Sequence, residues 1–205
     1  MQPNESASGL PETALKTVVV FFGMTASGKS TLGQAWAKIW QAAYHNTDRV
    51  RKELAGLDPT DKRPDQVAGG IYSTAFTEAT YQSMLDCVRR DFFQGYDIVV
   101  LDGSYSKRRD RDQVRRLAEE LGARCVFVFC TCSDEEVQRR LDQRTRDPEA
   151  VSDGRWEVYL YQQATFELPN VLEKGAYILL NTEQSVEKML TWLAAHPFFQ
   201  DYHHR

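Results

Sequence analysis

A short apolar segment that runs directly into a glycine-rich motif constrains this chain more than any other feature. Residues 17–22 (TVVVFF) are continuously apolar, as a strand buried on both faces of a parallel sheet should be. Residues 23–31 (GMTASGKST) then match the pattern G-x-x-x-x-G-K-[ST] and open a stretch with helical spacing. Between a strand and a helix, such a motif turns its backbone N–H groups inward as a nest for phosphate. We therefore predict a phosphate-binding loop, with a glycine-rich turn that holds no ligand as the alternative.

The motif assigns its residues to places around a bound nucleotide. Lys29 is expected to reach the β and γ phosphates of ATP, Ser30 to place its hydroxyl on Mg²⁺, and Thr31 to approach the α phosphate. The backbone of the loop supplies the other contacts. The residues predicted to bind the nucleotide are Gly23, Thr25, Ala26, Ser27, Gly28, Lys29, Ser30 and Thr31.

The rest of the chain alternates short apolar runs with longer stretches of helical spacing. Further strands are predicted at 43–46, 98–101, 125–131 and 177–180, and helices at about 29–42, 47–56, 71–94, 107–121, 133–144, 155–168 and 185–195. This alternation is typical of βαβ units and predicts an α/β fold, a doubly wound, five-stranded, mostly parallel sheet flanked by helices. Residues 1–15 are polar and are expected to form a flexible tail ahead of one domain over 16–205.

Charge and hydropathy exclude two classes of function. The chain has 25 Lys and Arg against 29 Asp and Glu, a net charge of −4, which disfavours binding to nucleic acid by bulk electrostatics. Its longest apolar run, 18–23, is far shorter than the roughly 20 residues of a membrane span, and no secretory signal precedes it. We expect a cytoplasmic protein without a membrane contact.

A second polar cluster follows the second predicted strand, in TDRVRKEL (47–54). Ligands bind outside the carboxyl ends of strands in an open α/β sheet, so Asp48 and Arg51 should share a rim with the loop. A carboxylate there can orient and deprotonate an acceptor hydroxyl, and an arginine can hold that carboxylate or a negative group on the substrate. The alternative is that Thr47 caps the helix while Asp48 complements its dipole.

The third predicted strand delivers Asp102 to the same rim. Beside a phosphate-binding loop, a carboxylate in this position organises Mg²⁺ or its waters. Contact with the acceptor is the second role open to Asp102, and stabilisation of a turn at Gly103 and Ser104 is the structural alternative.

Arginines cluster at the end of a predicted helix, just before a polar segment. Arg140 and Arg144 lie one turn apart on one face, so we expect them to act on the transferred phosphoryl group. A mobile lid at about 140–157 would bring them over the nucleotide and exclude water. The basic residues of the helix at 107–121 are expected to be mostly surface residues.

These residues resemble a known group, the small P-loop kinases with AAA-type ATP-binding domains. The group includes zeta-toxin-like, gluconate-kinase-like and polynucleotide-kinase-like enzymes, and the resemblance covers about 18–167. Besides the loop, the strings that carry it are Asp48-Arg49-Val50-Arg51, Leu54-Ala55-Gly56-Leu57, Gly70-Ile71-Tyr72-Ser73, Thr80-Tyr81, residues 100–105 (VLDGSY) followed by Arg111, Arg140-Leu141, Arg144, Ser152-Asp153 and Gln162. Several resemble the ATP-binding domain found fused to aminoglycoside-phosphotransferase-like proteins, which implies a second kinase-like domain as a functional partner.

The resemblance implies a P-loop kinase fold, ATP bound with Mg²⁺, and Asp48 as general base with Arg51 beside it. It adds Tyr72, Asp102 and Arg111 as residues that contact the acceptor. The chain also departs from the family pattern, because Gly103 and Ser104 stand where Ala-Thr is usual, and Gly154 stands where Ala commonly follows Ser-Asp.

We therefore predict an ATP-dependent phosphotransferase that acts on a hydroxyl of a small molecule. One alternative is a polynucleotide 5′-hydroxyl kinase, in which the basic helix at 107–121 holds the strand. Another is a regulatory ATPase switch. Steep salt dependence would distinguish the polynucleotide kinase from a small-molecule kinase, because a strand-binding enzyme releases counterions.

Overall fold

A parallel sheet of five strands organises the fold. The computed structural model describes residues 15–61, 69–145, 155–170, 173 and 176–202. The strands are β1 (Thr17–Phe22), β2 (Ala43–Asn46), β3 (Ile98–Gly103), β4 (Arg124–Thr131) and β5 (Ala176–Asn181). They lie in the order β2-β3-β1-β4-β5, and every neighbouring pair is parallel. The predicted α/β fold with a five-stranded parallel sheet is confirmed.

Helices cover both faces of the sheet. In the described part of the chain they are α1 (Lys29–Ile39), α2 (Thr47–Leu54), α3 (Thr74–Phe93), α4 (Arg108–Glu120), α5 (Asp134–Thr145), α6 (Trp156–Thr165) and α7 (Val186–Ala194), with 3-10 turns at Gly70–Tyr72 and Pro197–Tyr202. None of these helices is long and apolar enough to cross a membrane.

Three predicted helix boundaries are wrong, each for a local backbone reason. The helix predicted over 155–168 ends at Thr165, because Phe166 is extended (φ −73°, ψ 121°). The helix predicted over 71–94 begins at Thr74, because Ser73 is extended (φ −60°, ψ 158°) and a 3-10 turn precedes it. The first helix ends at Ile39 rather than 42, since Gln41 takes a positive φ of 50°. Except for Leu15, the predicted tail lies outside the described residues. The middle half of the predicted lid, residues 146–154, also lies outside them, while its ends reach into α5 and α6.

The core has two layers because the side chains of β1 alternate between the faces of the sheet. Every residue of β1 is buried. One face packs against α3 and α4, and its buried residues include Val18, Val20, Phe22, Met84, Val88 and Leu117. The other face packs against α1 and α7, and its buried residues include Val19, Phe21, Leu32, Trp36 and Leu193. The central strand is thus held on both sides, which places the loop that follows it.

A buried ion-pair cluster ties α4 to the residue Glu173, ahead of β5. The side chains of Arg111 and Glu173 are both 0% exposed, and their closest N–O distance is 2.6 Å. Arg115 donates to the same carboxylate at 2.8 Å. Arg111 also donates to the carbonyls of Tyr105 and Glu167, at 2.8 and 2.9 Å. The expectation that Arg111 contacts a substrate therefore does not agree with its position, since its guanidinium is bonded inside the core.

A second ion pair joins β2 to α3. His45 Nε2 lies 2.5 Å from Asp91 Oδ2, and the two side chains are 16% and 4% exposed. Burial lowers the pKa of His45, but hydrogen bonds with Cys87 and Asp91 outweigh burial and leave the pKa raised. The folded protein therefore favours the charged imidazole.

From the His45–Asp91 ion pair we predict that the protein loses part of its folding stability as the pH rises. Because the pKa of His45 is higher in the folded than in the unfolded protein, the charged imidazole stabilises the fold. Its contribution to the free energy of unfolding is complete below the unfolded pKa of about 6.5. It is lost as the pH rises through the folded pKa. Denaturant unfolding of the wild type and of His45→Gln, from about pH 5.5 to 9, should give a difference in unfolding free energy that shrinks with pH. Asp91→Asn should flatten the same dependence, because it removes the partner charge. A difference that stays constant over this range would contradict the prediction.

Candidate active site

The glycine-rich segment 23–29 forms a tight loop between β1 and α1. Ala26 and Gly28 take positive φ values of 59° and 83°. A Cβ on Gly28 would lie 2.9 Å from Thr182 Oγ1, and a Cβ on Gly23 would lie 2.4 Å from the Cys130 carbonyl oxygen. Glycine is therefore needed at both positions. Because Gly28 is the N-cap of α1 and has no side chain to cap it, the first N–H groups of the helix are available to an anion.

Lys29 draws the predicted functional groups together. Its Nζ donates to the Met24 carbonyl at 3.1 Å. Burial lowers the pKa of Lys29, and the nearby Asp102 carboxylate partly offsets that effect. The Arg144 guanidinium and the Asp48 carboxylate also act on it electrostatically. Asp48, Asp102 and Arg144, which the sequence singled out separately, thus all lie within electrostatic reach of Lys29.

Asp102 is the penultimate residue of β3 and is fully buried. Its Oδ2 accepts hydrogen bonds from Tyr44 Oη at 2.5 Å and from Asn46 Nδ2 at 2.6 Å. Its Oδ1 is buried and has no hydrogen-bond partner among the residues that the structure describes. The alternative that Asp102 stabilises a turn at Gly103 and Ser104 is wrong, because its hydrogen-bonded oxygen, Oδ2, points to Tyr44 and Asn46 of β2. Leaving a buried carboxylate oxygen unpaired is costly, and a cation would satisfy it.

Asn46, not Thr47, caps α2. Its Oδ1 accepts from the backbone N–H groups of Asp48 and Arg49, at 3.0 and 3.1 Å. Thr47 is buried against β3, and a Cβ on Gly103 would lie 2.5 Å from Thr47 Cγ2. A side chain at 103 would therefore require α2 to move away from β3. The Asp48 side chain is half-buried, and its carboxylate takes part in no hydrogen bond within the described ranges.

Arg51 is buried and turned toward the turn ahead of α3. Its Nη1 donates to the Ile71 carbonyl at 2.8 Å and to Thr77 Oγ1 at 3.1 Å. Its guanidinium lies 4.9 Å from the centroid of the Tyr72 ring. Arg51 and Tyr72, both predicted to contact the acceptor, pack against each other, and Arg51 Nε is buried without a hydrogen-bond partner among the described residues.

The two arginines of α5 take different positions. Arg140 donates to the Ala26 carbonyl at 3.0 Å and to the Thr182 carbonyl at 2.6 Å, so it braces the glycine-rich loop. Arg144 is half-buried, and burial lowers its pKa while the carboxylates of Asp48 and Asp102 raise it. Arg144 thus faces the carboxylates, whereas Arg140 supports the loop.

Three side chains at the site were not predicted to act there. Tyr44 and Asn46 appeared only as strand residues, and the signal that could have found them is the pairing of Asn46 with Asp102 in adjacent strands. Gln162 of α6 was part of the family resemblance without a role. Its Oε1 accepts from the Thr25 N–H of the loop at 2.6 Å.

A cleft of about 590 Å³ opens beside the loop, between α5 and the start of α7. This volume falls in the range of roughly 300 to 1,000 Å³ that small-molecule sites occupy. The cleft begins at Gly28 and Thr31, where the loop would present the phosphates of a nucleotide. Its other lining residues include Arg139, Gln143, Glu183, Gln184, Val186 and Met189.

Comparison with known proteins places these features in a wider group. The family model described as AAA domain matches residues 18–169. An uncharacterized protein of Mycobacterium tuberculosis is 30% identical over 122 residues, which are 60% of this chain and 24% of that protein. A UPF0200 protein of Pyrobaculum aerophilum is 25% identical over 173 residues, 84% of this chain and 91% of that protein. The chain thus spans about a quarter of the length of the mycobacterial relatives it matches.

Several solved structures share the fold. An unliganded sugar kinase from Janibacter sp. has a TM-score of 0.65 at 20% identity and covers 91% of this chain and 95% of its own. A gluconokinase from Sinorhizobium meliloti has a TM-score of 0.58 at 21% identity, over 91% of this chain and 98% of its own. Kti12 from Chaetomium thermophilum, in complex with ADP-AlF3, has a TM-score of 0.61 at 15% identity, over 86% and 96%. At these identities the likeness shows a common fold.

Proposed function

This chain belongs to the AAA domain family, and from that premise we propose that it transfers the γ-phosphoryl group of ATP to a hydroxyl of a small-molecule acceptor. The observation that carries the proposal is that the charges of Asp48, Asp102 and Arg144 all act on the buried ammonium group of Lys29, the residue at which the glycine-rich loop passes into α1. Phosphoryl transfer depends chiefly on positioning and on stabilising the charge of the transferred group. Two cations and two carboxylates at the rim beside a phosphate nest supply both.

On the donor side, the loop N–H groups and the start of α1 hold the phosphates of ATP. Lys29 moves from the Met24 carbonyl, which its Nζ contacts at 3.1 Å, to the phosphate oxygens. The cleft beside Gly28 and Thr31 takes the remainder of the nucleotide. Arg140 keeps the loop in shape through the Ala26 carbonyl, and Arg144 acts on the charge of the transferred group.

The residues near the loop fit Mg²⁺, an ion that prefers oxygen ligands and binds together with the phosphates of ATP in P-loop enzymes. The fit rests on Asp102 Oδ1, a buried oxygen without a hydrogen-bond partner in the described chain. Asp102 and the hydroxyl of Ser30 would hold the ion, directly or through water. When bound, Mg²⁺ neutralises charge on the phosphates.

On the acceptor side, the Asp48 carboxylate receives the proton of the attacking hydroxyl. No described residue hydrogen-bonds that carboxylate, so an acceptor does not have to displace a partner. Arg51 and Tyr72, which pack against each other, are the other residues proposed to contact the acceptor. A second kinase-like domain as functional partner is also part of the proposal, and it rests on the family resemblance.

The polynucleotide kinase alternative loses support at α4, the helix that would hold the strand. Of the six basic side chains at 107–116, five pair with carboxylates, and exposed Arg116 is the one without an ion pair among the described residues. The pairs are Lys107 with Glu167 at 3.2 Å, Arg108 with Asp112 at 3.5 Å, Arg109 with Glu78 at 3.0 Å, Arg111 with Glu173 at 2.6 Å, and Arg115 with Glu173 at 2.8 Å.

The proposal is tested by following labelled γ-phosphate from ATP, with Mg²⁺, onto sugars, nucleosides, aminoglycosides and 5′-hydroxyl oligonucleotides. We expect one small-molecule class to take up the label with little salt dependence, and Lys29→Met to abolish the transfer. Transfer to oligonucleotides that falls steeply with salt would favour the polynucleotide kinase instead. ATP binding without transfer to any class would overturn the proposal in favour of the switch.

A further inference from the structure

The Asn46 carboxamide links the carboxylate of Asp102 to the backbone of Asp48. Asn46 Nδ2 donates to Asp102 Oδ2 at 2.6 Å, and Asn46 Oδ1 accepts from the Asp48 N–H at 3.0 Å and the Arg49 N–H at 3.1 Å. This orientation of the amide is the one that satisfies all three bonds, because only the NH₂ group donates and only the oxygen accepts. A single planar group thus spans from the end of β3 to the start of α2.

Tyr44 fixes the same carboxylate from a second direction. Its hydroxyl donates to Asp102 Oδ2 at 2.5 Å. Tyr44 and Asn46 are two residues apart on β2, so both side chains lie on one face of the strand. A carboxylate only accepts hydrogen bonds, so the Tyr44 hydroxyl is the donor in this contact. With two donors on Oδ2, the carboxylate cannot turn freely, and Oδ1 is the oxygen left for another ligand.

We propose that Asn46 is a positioning residue that sets the Mg²⁺ carboxylate Asp102 and the acceptor base Asp48 relative to each other, with Tyr44 fixing the rotation of Asp102. The inference rests on the proposed function, in which these two carboxylates serve cation and acceptor. Asn46 acts through its neighbours and contacts neither ligand itself.

The two carboxylates need a positioning residue because they belong to different secondary-structure elements. Asp102 moves with β3, Asp48 moves with α2, and a misplacement of about 1 Å at a reacting centre can cost roughly 10²-fold in rate. The Asn46 carboxamide links them by one bond to the Asp102 side chain and one to the Asp48 backbone. Removing a side chain that hydrogen-bonds a metal ligand typically lowers metal affinity or activity by about 10- to 100-fold.

Asn46→Ser separates this role from helix capping. Serine caps a helix about as well as asparagine, so α2 keeps its cap, but the shorter side chain loses the Nδ2 donor to Asp102. We expect Mn²⁺ affinity in the presence of ADP, measured by electron paramagnetic resonance, to weaken about tenfold. With an accepting substrate, kcat should fall by about 10- to 100-fold while the KM for ATP changes little. Tyr44→Phe should weaken Mn²⁺ binding in the same direction and leave the cap of α2 untouched.

Asn46→Ala removes the cap and the donor together and serves as the comparison for thermal stability. Unchanged Mn²⁺ affinity and unchanged kcat in Asn46→Ser, with loss of stability in Asn46→Ala, would overturn the proposal and leave Asn46 as a cap alone. The Mn²⁺ measurement needs no acceptor. A wild type that binds Mn²⁺ and ADP but phosphorylates nothing would therefore count against the proposed function, whereas the response of Mn²⁺ affinity to Asn46→Ser would still test the link to Asp102.

Discussion

Asp48→Asn is expected to lower the rate of phosphoryl transfer by about 10²- to 10⁴-fold, the usual contribution of a general base. The asparagine side chain has nearly the same shape but takes up no proton from the acceptor hydroxyl. The local backbone should be unchanged, because Asn46 bonds the N–H of residue 48 and not its side chain. The measurement is kcat with the acceptor that the transfer assay identifies.

Binding of ATP should not weaken in the same variant. The Asp48 carboxylate lies near Lys29 and Arg144, and its removal takes a negative charge away from the place where phosphate binds. Titration with a fluorescent ATP analogue measures this directly. Asp86→Asn, at an exposed ion pair with Arg89 on α3, is the matched control and should keep full activity. Transfer at the wild-type rate in Asp48→Asn would remove Asp48 from the role of base.

Glu173→Gln is expected to lower the free energy of unfolding by about 3 to 5 kcal/mol, because it leaves the buried guanidinium of Arg111 without an anion and leaves Arg115 with Asp112 as its carboxylate partner. Arg111 and Arg115 both donate to this carboxylate, and Arg111 and Glu173 are 0% exposed. For a chain of this size the loss corresponds to a melting temperature lower by roughly 10 °C. Thermal and denaturant unfolding measure it.

Acidification should reduce the difference in unfolding free energy between the wild type and Glu173→Gln. Burial raises the pKa of Glu173, but hydrogen bonds from Arg111, Tyr177 and Arg115 outweigh it and lower the pKa to about 2. A lowered pKa gives stability that is present above the unfolded value of about 4.3 and is lost as the pH falls toward the folded value. The unfolding free energies of the wild type and Glu173→Gln should therefore approach each other as the pH falls.

Glu78→Gln provides the matched control at an exposed pair. Glu78 and Arg109 lie 3.0 Å apart with side chains 55% and 57% exposed, so the same substitution should cost about 1 kcal/mol or less. If Glu173→Gln cost no more than Glu78→Gln, the buried cluster would not be the support of α4 that its geometry indicates.

The amino-acid sequence by itself determined the features that local patterns encode. The continuous apolar run of 17–22 predicted β1 with its observed ends, and the motif that follows it predicted the loop and the start of α1 at Lys29. Alternating apolar runs predicted all five strands and the parallel sheet. These features depend on residues within a few positions of one another, where periodicity, glycine and the rules of helix ends apply.

Only the tertiary structure decided which distant side chains meet. The strand order β2-β3-β1-β4-β5 puts Asn46 beside Asp102, and the packing of α4 puts Arg111 on Glu173. Arg140, predicted for the transferred phosphoryl group, instead bonds the Ala26 carbonyl across 114 positions of sequence. No local pattern carries such pairings, because a hydrogen bond between residues far apart in the chain leaves no periodicity in either segment.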